Sequence, residues 1–193
     1  MDLKQVSAMQ HIQSALCDLG ITISAFPEIK GTAKRIMRMW VEEFFKNIDT
    51  EFDDFYLSDN QKSYSQIIDF TGIDFVSCCS HHLLPFSGTA HILYIPDKFL
   101  VGASKPARLV DHYSKRPQLQ ETLSHDIADT FWKAVKPLGV MVVLKATHGC
   151  ISCRGVHKAN VKMGTSVVRG AFASEPELEL KGYELIKLSY NLK

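Results

Sequence analysis

The sequence has no excess of charge of either sign. Lys and Arg number 22 against 21 Asp and Glu, a formal net charge of +1. That balance excludes the basic arm of a nucleic-acid-binding protein and the polybasic patch of a membrane-surface protein. It leaves room for a local basic pocket around one phosphorylated ligand. Long apolar runs are missing too, and with them any bilayer span. The first residues, MDLKQVSAMQHIQSALCDLG, intersperse Gln, Ser, His and Asp and lack the apolar core of a signal peptide. The expectation is a cytoplasmic protein with neither nucleic acid nor membrane as a partner. Cysteine is sparse and odd in number, five residues at 17, 78, 79, 150 and 153. An odd set without a secretory signal argues against a disulfide framework and favours free thiols or metal ligands. Internal repeats and low-complexity tracts are also absent.

What is present is an ordinary core-forming chain: 193 residues, 46% apolar, enough for one domain over 1–193. A helical N-terminal region covers 1–50 and the main core 66–188. Residues 5–18 place Val6, Met9, Ile12, Ala15 and Leu16 at helical spacing and stop at Gly20. Thr32 is positioned to cap a second helix through Ile36, Trp40 and Phe44. Residues 47–64, polar, acidic and aromatic, read as irregular. IIDFTGIDFVSCCS and TAHILYIP are strand-like, rich in β-branched and aromatic residues. Ser104 opens a helix, and another runs from Leu119 to Val135 with Gly139 as its end. VMVVLKAT is a strand, 151–173 holds one or two more, and 175–187 is a final helix. This order predicts an α+β fold with an antiparallel sheet covered by helices on one side.

The chemistry-bearing residues concentrate in two segments. Cys78-Cys79-Ser80-His81-His82 packs four potential ligands into one short stretch, and His148-Gly149-Cys150, followed by Cys153, adds more. Adjacent residues on a strand face opposite sides, so Cys78 and Cys79 do not readily serve one ion together. A turn after Cys79 brings Cys79 and His82 to one metal, with His81 facing the cavity. On an extended strand His148 and Cys150 share a face, so Cys150 binds metal with His148 beside the substrate. Zinc takes four such ligands in a structural site, or three with one position left for water in a catalytic site. On these residues the closed four-ligand site remains the rival, and a buried, purely packing role for the cysteines is the bland alternative.

Basic residues supply a candidate anion site. Arg35 and Arg38 share one helix face, as do Lys105 and Arg108 at a helix start just after Ser104. Free N–H groups and the dipole of a helix N-terminus add to such charges. Arg154 follows the second metal segment. For each residue alone, a solvated helix face is the commoner reading; the clustering lifts the set. Gln120-Glu121 stands where a carboxylate could accept hydrogen bonds from a guanine edge.

The runs CCSHHLLPFSGTAHILYIP, VGASKPARLVDHYSKRPQLQETL and HGCISCRGVHK closely resemble GTP cyclohydrolase I, with HHLLPF, SK-x-AR, Q-x-QE, H-x-C and RGV in that family's order over roughly 32–188. The resemblance implies the tunnelling fold (T-fold), in which sheets of several subunits join into a barrel. It also implies a homo-oligomer, commonly a decamer, with active sites between subunits. The implied activity is a Zn2+-dependent hydrolase acting on GTP. It opens the imidazole ring, releases C8 as formate and gives 7,8-dihydroneopterin triphosphate, a precursor of tetrahydrofolate or of 7-deazaguanine compounds such as queuosine. By position, Cys79, His82 and Cys150 match the metal ligands; His81 and His148 the catalytic histidines, with Ser104 assisting; and Ser104, Lys105, Arg108, Arg154, Arg35 and Arg38 the triphosphate region. Gln120 and Glu121 match the guanine-recognition stretch. Two departures stand out: Ser80 replaces the family's Glu between the cysteine and the histidines, and Ala33 replaces Pro after Thr32. The Ser80 change motivates two alternatives, a hydrolase for another purine nucleotide and an enzyme that stops at the ring-opened intermediate. A non-catalytic, zinc-stabilised nucleotide-binding subunit is the reading from a different class.

Overall fold

The computed structural model describes residues 2–191, which divide between Lys46 and Asn47 into two compact units. The first unit holds α1 (Leu3–Asp18), a 3-10 turn (Pro27–Ile29), α2 (Thr32–Met39) and a π-type turn (Trp40–Phe44). A reciprocal cap starts α1: Asp2 Oδ1 accepts the Gln5 amide at 2.8 Å while Gln5 Oε1 accepts the Asp2 amide at 3.3 Å. Thr32 does not cap α2. Gly31, at φ +79°, takes the cap position, and the Thr32 hydroxyl accepts from Arg35 instead at 2.8 Å.

The second unit runs β1 (Leu57–Asp59), β2 (Ile68–Cys79), β3 (Pro85–Ile95), β4 (Phe99–Val101), α3 (Lys105–Ser114), β5 (Pro117–Gln118), α4 (Gln120–Val135), β6 (Gly139–His148), α5 (Gly149–Ser152), β7 (Met163–Gly170), α6 (Ala171–Ser174) and α7 (Pro176–Asn191). β1 lies inside the stretch expected to be irregular, because its partner β4 is remote in sequence. The main sheet has the order β5-β2-β3-β6-β7. Every pairing in it is antiparallel except the short parallel contact of β5 with β2. The α4 helix does not extend to Gly139. It stops at Lys136, held in the left-handed region at φ +50°, and Gly139 opens β6.

Alternation along the strands sorts the side chains to two faces. Phe75, Phe86, Ile92, Tyr94, Val142 and Leu144 point toward α3 and α4, where Leu109, Val110, Leu123, Ile127 and Phe131 meet them. Full burial of each such side chain stabilises by about 1.5–3 kcal/mol. On the other face, Leu93, Ile95 and Met141 pack against Phe172 of α6 and Ile186 of α7. That second cover lies at the Gly139 end of β6. At the His148 end the same face stays open, with Val76, Ser87 and Lys145 exposed. Partway along β2 the pairing with β3 shifts by one residue between Phe70 and Ile73, at Gly72 with φ +73°. The Gly72 amide donates to Nδ1 of buried His91 at 3.2 Å. His91 Nε2 meets the Tyr190 hydroxyl at 2.8 Å. No described helix is long and apolar enough to cross a membrane.

Candidate active site

The site lies where β2 and β6 end. Cys79 is the last residue of β2, and the chain then turns through Ser80, His81 and His82 before β3. Two backbone bonds close the turn: Leu83 N–H to Cys79 O at 2.8 Å, and Cys79 N–H to Leu84 O at 2.9 Å. The turn puts Leu83 at φ +51°, a conformation a leucine adopts only under constraint. His148 ends β6, and Cys150 falls in the short α5 rather than on a continuing strand, so its side chain is placed by a helical turn and not by strand alternation. Gly149 between them cannot be larger: an added Cβ would lie 2.9 Å from Pro85 O.

One donor atom from each of Cys79, His148 and Cys150 lies within 4.8 Å of the other two. Ligands around a tetrahedral zinc with thiolate bonds stand roughly 3.8 Å apart, so a small contraction around an ion accommodates these three. The chemistry of the donors agrees. Burial pushes the Cys150 thiol up, and the adjacent Cys79 pushes it further. A thiol raised in this way is stable as a thiolate once a cation lies beside it. Two sulfurs and an imidazole nitrogen form a donor set that suits zinc.

His148 is the most constrained of the three. Its ring stacks on Phe86 at 4.5 Å with an interplanar angle of 1°. Its Nε2 meets Gln120 Oε1 at 2.9 Å. The orientation of that amide is fixed from behind, because Gln120 Nε2 donates to Met163 O at 3.2 Å and to Thr165 Oγ1 at 3.1 Å. Gln120 therefore accepts from His148, Nε2 carries the proton, and the free lone pair is on Nδ1. Burial holds the His148 pKa below the usual histidine value, opposed by the charge of Glu121. Neutral imidazole is the favoured form.

The remaining expected residues divide. His81 and His82 are exposed on the turn, with ring centroids 6.3 Å apart. His82 stands outside the cysteine–histidine cluster, and its Nε2 accepts from Arg154 Nη1 at 2.6 Å. Gln120 is brought to the site, but its side chain is buried and engaged with His148 and β7, whereas Glu121 is exposed in the first turn of α4. Ser104 is the cap residue of α3 without a side-chain capping bond. Lys105 and Arg108 both contact Asp54, at 2.5 and 2.9 Å, and these two cations hold the Asp54 carboxyl below the usual carboxylate range. Arg35 bonds Thr32 and Lys30, and Arg38 pairs with Glu42, all within the first unit. Phe86, Thr165 and Asp54 were not among the expected site residues. Phe86 does belong to the HHLLPF motif, the one signal that could have drawn attention to it.

The GTP cyclohydrolase I family matches residues 8–187. The chain belongs to that family. Among curated relatives, GTP cyclohydrolase 1 of Thermoanaerobacter pseudethanolicus is 40% identical over 181 residues, 92% of this chain and 96% of the relative. The enzyme of the same name from Listeria monocytogenes serotype 4b is 40% identical over 185 residues with the same two coverages. That from Hydrogenobaculum is 43% identical over 159 residues, 82% of this chain and 85% of the relative. A solved archaeosine synthase QueF-Like matches at 21% identity with a TM-score of 0.46, over 54% of this chain and 93% of that one, too distant to bear on the assignment. In this GTP cyclohydrolase I family member, the antiparallel-rich sheet with its helices is the α+β subunit of the tunnelling fold.

Proposed function

We propose that the chain is a zinc-dependent GTP cyclohydrolase I, opening the imidazole ring of GTP, releasing C8 as formate and closing the product to 7,8-dihydroneopterin triphosphate. The observation that carries this reading is the convergence of the Cys79 and Cys150 thiols, with the His148 ring beside them, within 4.8 Å in a chain of that family. Cys79 and Cys150 would hold Zn2+ together with His82, which would exchange its Arg154 contact for the ion. A bound zinc would supply Lewis acidity and lower the pKa of a water molecule to about 7.

The protein's own groups do the rest. His148, clamped by Phe86 and Gln120, keeps a bare Nδ1 as proton acceptor beside the reacting centre. His81 on the exposed turn delivers the proton that the guanine N7 needs as the ring opens. Glu121 accepts hydrogen bonds from the guanine ring N–H and exocyclic amine, while Gln120 contributes from behind by fixing His148. Ser104, Lys105, Arg108 and Arg154 bind the triphosphate. The chain acts as a homo-oligomer, with a decamer as the expected form; support comes from the open sheet face at the His148 end. Purified zinc-loaded protein given GTP should release formate and a pterin that fluoresces after oxidation. Absence of turnover with zinc bound and the oligomer intact would sink the reading.

A further inference from the structure

We infer that Arg154 is a placeholder on the metal site: it occupies the lone pair of His82 until metal arrives, and metal binding releases its guanidinium to bind phosphate. The inference rests on the proposed roles of His82 and Arg154 and adds a coupling between them.

The contact itself carries the argument. Arg154 Nη1 donates to His82 Nε2 at 2.6 Å, and both residues are exposed. A guanidinium stays protonated throughout the physiological range and has no lone pair, so it can only donate. His82 must therefore present a bare nitrogen to it, and a metal ion would need a bare nitrogen of the same ring. If the metal takes that nitrogen, the two partners exclude each other. Arg154 follows Cys150 closely, on the chain leaving α5. It is therefore tethered beside the site and remains there when displaced. Among the described residues no carboxylate pairs with it. A freed Arg154 is thus an uncompensated cation beside the reacting centre, suited to an anionic group of the substrate.

The gain in phosphate affinity on metal binding is assigned to the change of partner at Arg154, and the Arg154→Ala variant separates it from direct attraction between ion and phosphate. By linkage the effect is reciprocal, and bound phosphate eases entry of the metal.

Inorganic triphosphate is the probe, titrated calorimetrically into full-length protein freed of metal and into zinc-loaded protein cleared of excess ion, with retained zinc measured afterwards. Wild-type protein should bind triphosphate about tenfold more tightly when loaded, within the range usual for coupled sites. In Arg154→Ala the affinity should be low in both states and the ratio close to unity. In metal-free His82→Ala, Arg154 has no partner to hold it, and triphosphate affinity should rise toward that of loaded wild type. A ratio near unity in wild type overturns the inference, as does an undiminished ratio in Arg154→Ala or an unchanged affinity in His82→Ala. These measurements use no GTP turnover, so an inactive protein that shows the coupling would count against the proposed activity alone.

Discussion

The two walls of the site are built in opposite ways. On the inner side, His148, Gln120 and Phe86 are buried, stacked and hydrogen-bonded through Thr165 to a neighbouring strand. On the outer side, His81, His82 and Arg154 are exposed, on a turn and on the chain after α5. The inner wall is fixed before any ligand arrives, so its histidine needs no reorganisation during the reaction. The outer wall can exchange partners. A histidine held from behind is suited to proton transfer, and one exposed on a turn is suited to taking an ion.

The sharpest way to break this contrast is to remove one histidine from each wall. His148→Ala should keep its zinc and lose about 10²–10⁴-fold in kcat, the usual contribution of a positioned proton-transfer group. His82→Ala should lose zinc as measured by metal analysis. If His148→Ala loses the metal and His82→Ala retains it, the assignment of the two walls is reversed. A smaller effect is expected from Gln120→Leu, which leaves the His148 ring in place but removes its anchor. Activity or metal affinity should fall about 10–100-fold, as for other outer-shell partners of site histidines. An unchanged rate would mean that the stacking on Phe86 suffices.

The smallest effect concerns His91, which is buried and bonded to Gly72 and Tyr190. Burial holds its pKa below the ordinary value of 6.5, so the unfolded chain binds a proton more readily than the folded one. The stability this contributes is fully present above pH 6.5 and is lost as pH falls through the lower folded value. Thermal unfolding should show a declining Tm below pH 6.5, and the slope should flatten in His91→Gln. An equal slope in the variant would place the acid sensitivity elsewhere.

Much of this was readable in the sequence, where local pattern and tertiary structure agree. The runs over β2, β3 and β6 alternate where one face is open and are continuously apolar where both faces meet other elements, and α4 shows its four-residue steps because one side packs on the sheet. Cys79, His148 and Cys150 were legible as donors from residue type alone. What was hidden depends on partners remote in sequence. β1 forms only because β4 returns to it. Gln120 reads as a substrate contact until β6 and β7 are seen to surround it. Asp54 sat in a stretch that looked irregular, and nothing local marks it as the partner of Lys105 and Arg108. The placement of Cys150 beyond the strand end follows from the turn at Gly149, which strand periodicity does not report.

The one-residue shift in β2 acts as a phase change. Pairing across the shift keeps Ile68 and Phe70 on the same face as Ile73, Phe75, Ser77 and Cys79. With an uninterrupted two-residue rhythm from Phe70, Cys78 would take that face and Cys79 the opposite one. Of two adjacent cysteines, the one that joins the candidate site is thus chosen several residues upstream, by an extra residue at Gly72. The freed amide there finds an acceptor in the side chain of His91 where the neighbouring strand provides none. Removing one residue at that point should leave both cysteines in the chain while delivering the wrong thiol to the site.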